Sequence, residues 1–199
     1  MPLIHSSVMQ QKGNPMNKHI ITVLAKDRPG IIAHVTQVLF ALECNLENVN
    51  QMILQDQFAG FFLVESPPSL DRESLQAALD DQTKDTGLVI HVNDLDENNG
   101  SAMDQEGDIF LITTIGPDQK GLVARFSAII ARHHGNIINL KAVFKGGPDP
   151  RNNVMSYQVW VTADLDSAAM FADLRAKAAE LGLDIRIQHK NIFDAINKI

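Results

Sequence analysis

Residues 19–50 read HIITVLAKDRPGIIAHVTQVLFALECNLENVN, and residues 110–141 read FLITTIGPDQKGLVARFSAIIARHHGNIINLK. At a constant offset of 91, without a gap, the second is a copy of the first. Seven of the thirty-two pairs are identical: Ile21/Ile112, Thr22/Thr113, Asp27/Asp118, Gly30/Gly121, Ala33/Ala124, Asn45/Asn136 and Asn48/Asn139. Ordinary residue usage gives roughly two identities by chance. Most of the remaining pairs are apolar for apolar. A period of this length is too long for a solenoid repeat and suits one small domain, so the chain is a tandem duplication. The repeated polar residues are Asp, Gly and Asn, all in or near turns, which points to a small-molecule binding module present twice.

Working outward, His19–Ala25 is an apolar, β-branched strand ended by the Asp27-Arg28-Pro29-Gly30 turn. From Ile31 to Leu42 the apolar residues Ile31, Val35, Val38, Leu39 and Leu42 share one helical face. Leu46–Leu54 and Phe58–Glu65 read as a strand hairpin, and Pro67-Pro68-Ser69 closes it and starts a second helix through Leu75 and Leu79. Gly87 stops that helix before a fourth strand, Leu88–Val92. The second half repeats the order: Ile109–Ile115, helix Leu122–His133, strands Asn136–Phe144 and Val154–Val161, helix Ser167–Leu181, strand Leu183–Gln188. Each half is β-α-β-β-α-β, the α+β ferredoxin-like arrangement. The expected organisation is an N-terminal arm at 1–17, domains at 18–93 and 108–189, an acidic linker at 94–107 and a short C-terminal helix at 190–199. That helix carries Ile192, Phe193, Ile196 and Ile199, suited to capping a sheet or joining a homodimer.

Composition narrows the function. The formal charge is −7, with six acidic and no basic residues between 94 and 108. An acidic chain without a basic stripe is poorly suited to gripping DNA phosphates, so direct nucleic-acid binding is not expected. No apolar run is long enough for a membrane span and the first residues lack a signal pattern, so a cytoplasmic protein is expected. The one cysteine, Cys44, excludes an internal disulfide and multi-cysteine metal sites and reads as a packing residue. His133-His134 reads as a helix end and not as a metal pair, and Trp160 as a core or interface residue. None of the nucleotide-binding, hydrolase or metalloprotease strings occurs, so no catalytic residues, metal or cofactor are expected.

The DRPGI turn followed by Asn45-x-x-Asn48, repeated as DQKGL with Asn136 and Asn139, closely resembles the ACT-domain signature. Two such units with no attached catalytic domain resemble the glycine cleavage system transcriptional repressor family. The resemblance implies an amino-acid-sensing regulator, with glycine or a near relative as ligand. It would act by protein contact on a DNA-binding transcriptional regulator; the alternative is a detached regulatory subunit of an amino-acid biosynthetic enzyme. The expected ligand-binding residues are Asp27, Gly30, Ile31, Asn45 and Asn48 in the first copy, and Asp118, Gly121, Leu122, Asn136 and Asn139 in the second. The chemistry is direct: helix-start N–H groups for a carboxylate, an aspartate for an ammonium, carboxamides for both. Structural roles stand beside these: helix capping for the aspartates, turn geometry for the glycines, a left-handed helix end for Asn45 and Asn136. The second copy departs from the signature at Gln119-Lys120, where Arg28-Pro29 stands in the first, and a looser turn is expected there.

Overall fold

The computed structural model describes residues 16–95, 106–144 and 153–197. The N-terminal arm to residue 15, most of the acidic linker, the Lys145–Asn152 part of the hairpin loop and the side chains of Ile196 and Ile199 lie outside them. The chain divides into two compact units, Met1–Asn99 and Gly100–Ile199.

The first unit runs β1 (Asn17–Lys26), α1 (Ile31–Ala41), β2 (Asn45–Leu54), β3 (Gln57–Ser66), α2 (Arg72–Thr83) and β4 (Val89–Asp94). Its antiparallel sheet has the order β2-β3-β1-β4. Alternation in β1 and β3 sends Ile21, Val23, Phe62 and Val64 to one face, where they are sealed by Val35 and Leu39 of α1 and by Leu75 and Leu79 of α2. The second unit follows with β5 (Gly107–Ile115), α3 (Leu122–Arg132), β6 (Asn136–Phe144), β7 (Asn153–Thr162), α4 (Ser167–Glu180) and β8 (Asp184–His189). Its sheet order is β6-β7-β5-β8, and its core gathers Ile112, Phe126, Ile130, Tyr157, Val159, Met170 and Leu174. Both units are therefore ferredoxin-like.

Two local expectations are corrected. Helix α2 does not start in the Pro67-Pro68-Ser69 stretch. Leu70 N–H closes a turn on the Pro67 carbonyl at 2.8 Å, and Asp71 caps the helix by accepting from Ser74 N–H at 2.9 Å. The left-handed residues after α1 and α3 are Glu43 and His134, not Asn45 and Asn136, which open β2 and β6 instead. The C-terminal helix α5 (Lys190–Asn197) packs on β5 and β8 of its own unit, the sheet alternative of the two expected, with Ile192 58% and Phe193 36% exposed.

Trp160 is buried, its indole lying over Gly107, where an added Cβ would sit 2.7 Å from Nε1. His133 shares the Asp173 carboxylate with Arg132, at 2.8 and 2.7 Å. The His133 hydrogen bond, with Arg132 beside it, holds that carboxyl below the usual range. Burial pushes the Cys44 thiol up, consistent with packing and not with a reactive thiolate. Among the described residues no helix is long and apolar enough to cross a membrane, and no cluster of side chains could hold a metal ion.

Candidate functional site

The turn between β1 and α1 is built around Gly30, at φ +94° with open space where a Cβ would stand. Backbone conformation, not a close neighbour, demands glycine here. Helix α1 begins on Gly30 with no side-chain cap, and its first helical bond runs from His34 N–H to the Gly30 carbonyl at 2.9 Å. The N–H groups of Ile31, Ile32 and Ala33 therefore leave the helix end unpaired within the helix, beside the positive end of its dipole. Asp27 caps nothing: its backbone N–H bonds the Asp56 carbonyl at 2.7 Å, and its exposed carboxylate stands at the rim. The Arg28 guanidinium donates to the Thr86 carbonyl at 2.8 Å and so ties the turn to the loop before β4.

Between this turn and β2 lies a recess of about 610 Å³. It is lined by Asp27, Arg28, Pro29, Gly30, Ile31, Ile32 and Ala33 on one side and by Gln51, Ile53 and Phe58 on the other. Asp27, Gly30 and Ile31 thus come together as expected from sequence. Asn45 and Asn48 do not join them. Asn48 pairs with Leu63 and Asn45 with Glu65, on the sheet face opposite the helices, whereas Gln51 and Ile53 pair with Gly60 and Phe58 on the helix face. The cause is a bulge at Glu47, which adds one residue and flips everything after it. The faces of Gln51 and Ile53 depend on that bulge, which the sequence does not announce, and Phe58 reaches the recess from the neighbouring strand β3.

The second turn repeats the geometry. Gly121 has φ +80°, α3 starts on it without a side-chain cap, and Arg125 N–H bonds the Gly121 carbonyl at 3.0 Å. Asp118 is exposed and Leu122 is buried. At the departure, the Gln119 carboxamide donates to the Leu181 carbonyl at 2.7 Å, taking the anchoring part that Arg28 plays on Thr86. Asn136 and Asn139 again lie away from the helix face, opposite Trp160 and Gln158, with the bulge now at Ile138. On the strand side the copies part company. Register places Ala142 at the position of Gln51, Phe144 at that of Ile53, Asn153 at that of Phe58 and Met155 at that of Gly60.

A different recess, about 530 Å³, lies by the start of β1 and is lined by His19, Asp71, Arg72 and Asp94 among others. The buried His19 ring sits between Ser66 Oγ, 3.0 Å from Nε2, and Asp94, 3.0 Å from Nδ1, the latter without hydrogen-bond alignment. This Ser-His-Asp line is not a nucleophilic triad. Ser66 is fully buried and its hydroxyl donates to the Leu70 carbonyl at 2.8 Å, so no substrate reaches it.

Known proteins share this architecture. A family model of the ACT domain matches residues 18–93 and again residues 108–188. A UPF0237 protein of Methanosarcina mazei is 34% identical over 77 residues, covering 38% of this chain and 84% of that protein. Another, from Methanococcus maripaludis, is 37% identical over 78 residues, covering 39% of this chain and 87% of that protein. Among solved structures, an unknown protein from Galdieria sulphuraria aligns with a TM-score of 0.72 at 21% identity, over 88% of this chain and 99% of that one. A candidate glycine cleavage system transcriptional repressor aligns with a TM-score of 0.66 at 15% identity, over 88% and 98%. At those identities the structural likeness concerns the fold. The chain belongs to the ACT domain family and carries two copies of the domain in tandem.

Proposed function

We propose that this protein is a non-catalytic regulator that binds a free α-amino acid at the Asp27–Ala33 turn and passes the bound state to a partner protein. The observation that carries this reading is the recess itself. An uncapped helix start, a free carboxylate and a carboxamide converge on one opening against β2. The ligand carboxylate meets the N–H groups of Ile31, Ile32 and Ala33, the ammonium meets Asp27, and Gln51 donates or accepts as needed. Both resemblance and fold favour a DNA-binding transcriptional regulator of glycine cleavage or amino-acid metabolism as the partner, met by protein contact in the cytoplasm. Self-association as a homodimer belongs to the same reading. Strand β2 is an edge exposed at all ten positions, with Leu46, Val49, Met52 and Leu54 uncovered.

A thermal-shift survey of the twenty amino acids tests the ligand class. A true ligand at 100 times its Kd adds about 2.7 kcal/mol to the stability of the unit that binds it. Stabilisation by none of them would remove the reading. Affinity capture then separates the partner classes: a DNA-binding regulator supports transcription control, and a biosynthetic catalytic chain supports the detached-subunit alternative.

A further inference from the structure

The two copies of the turn are nearly identical, yet the strands facing them are not, and that contrast carries information about the ligand. In the first unit Gly60 leaves the sheet bare on its helix face. A Cβ there would stand 2.9 Å from the Phe58 ring and 3.0 Å from the Phe62 ring, so these rings occupy the space a side chain would need. Phe58 thereby floors the recess, with Ile53 and Ile32 as walls and Gln51 and Asp27 as its polar groups. In the second unit Met155 fills the place of Gly60, buried against Tyr157, and the polar Gln51 is replaced by Ala142. The floor residue becomes Asn153. The second turn therefore keeps its helix start but has neither Phe58 nor Gln51 in place: its aromatic ring stands instead at Phe144 and its carboxamide at Asn153, with Met155 filling the floor.

Resting on the amino-acid reading of the first turn, we propose that the ligand is an α-amino acid with an apolar side chain, bound once per chain, in the first unit. Its ammonium and carboxylate occupy Asp27 and the start of α1. Its side chain covers the exposed Ile53 and the partly buried Ile32, above the Phe58 ring. Glycine satisfies the polar groups alone and leaves that apolar wall in water, and an acidic side chain sets a second carboxylate beside Asp27 and against an apolar wall. Covering the wall is worth at least about a tenfold gain in affinity over glycine, about half of what full burial of a leucine side chain brings.

Calorimetric titration of the full chain with leucine, phenylalanine, glycine and aspartate tests this directly. The expected result is leucine or phenylalanine at least about tenfold tighter than glycine or aspartate, with one equivalent bound per chain. The variant Ile53→Ala, at a half-exposed position where folding is not at stake, should narrow the preference over glycine by several-fold. Glycine or aspartate binding as tightly as leucine, two equivalents per chain, or an unchanged preference in Ile53→Ala would overturn the inference while leaving the amino-acid reading intact. Binding of no amino acid would overturn the amino-acid reading itself.

Discussion

The two halves of this chain keep different parts of a common plan. Their turns agree down to the backbone: Gly30 and Gly121 share a left-handed conformation, both helices start uncapped, and Arg28 and Gln119 make the same anchoring hydrogen bond with different chemistry. Their sheets agree in order and even in the bulge at Glu47 and Ile138. One set of differences lies on the helix face of two adjacent strands, where Gln51, Ile53, Phe58 and Gly60 give way to Ala142, Phe144, Asn153 and Met155. The turn geometry is common to both units, and the strand side facing it is not.

Perturbing corresponding positions breaks or sharpens that contrast. The largest effect is expected at the floor. Met155→Ala should empty a fully packed position and cost the second unit about 2–5 kcal/mol, while Gly60→Ala in the first unit should cost about 1–3 kcal/mol by overpacking. Chemical denaturation of each variant measures both, and similar small losses would mean that the two sites are packed alike. Next, Asp27→Ala should weaken amino-acid binding by roughly 1.5–3 kcal/mol, the value of a charge-assisted hydrogen bond. Its stability should stay within about 0.5 kcal/mol of wild type, because the carboxylate caps nothing. Asp118→Ala should leave the titration where it was.

The glycines should behave as equals. Gly30→Ala and Gly121→Ala should each cost about 1–2 kcal/mol for a side chain held at positive φ, since neither meets a neighbour closer than ordinary contact. A marked inequality in their melting shifts would show that one turn is not built as described. The smallest contrast concerns Tyr157, which stands where the first unit has Phe62. Burial pushes its phenol up to about 12. The folded state then holds a proton that the unfolded state releases near 10, so stability contributed by the neutral phenol is present below that pH and is lost as pH rises toward 12. Alkaline unfolding of Tyr157→Phe should lack this loss, at a neutral-pH cost of at most about 1 kcal/mol, because the hydroxyl donates to a thioether.

Much of this was legible from residues alone. The in-register repeat predicted two β-α-β-β-α-β units, and Asp27, Gly30 and Ile31 do line one recess. The rest was hidden for definite reasons. A single bulged residue, Glu47, decides which face Asn48 and Gln51 occupy, and nothing in the stretch NLENVNQMIL announces a bulge. The anchoring role of Gln119 depends on the carbonyl of Leu181, 62 residues away, which local pattern does not reveal. The start of α2 was misplaced because the prolines mark the end of a strand as plainly as the start of a helix, and only the Asp71–Ser74 bond separates the two.

Two matching turns with unequal access to ligand can be told apart in a single sample, because amide chemical shifts read both turns at once. Titrating the isotopically labelled full chain with the tightest amino acid from the thermal survey should move the resonances of Asp27–Ala33, together with Gln51 and Ile53. Those of Asp118–Ala124 should stay in place. Equal saturable shifts at both turns, or shifts confined to the second, would contradict that inequality.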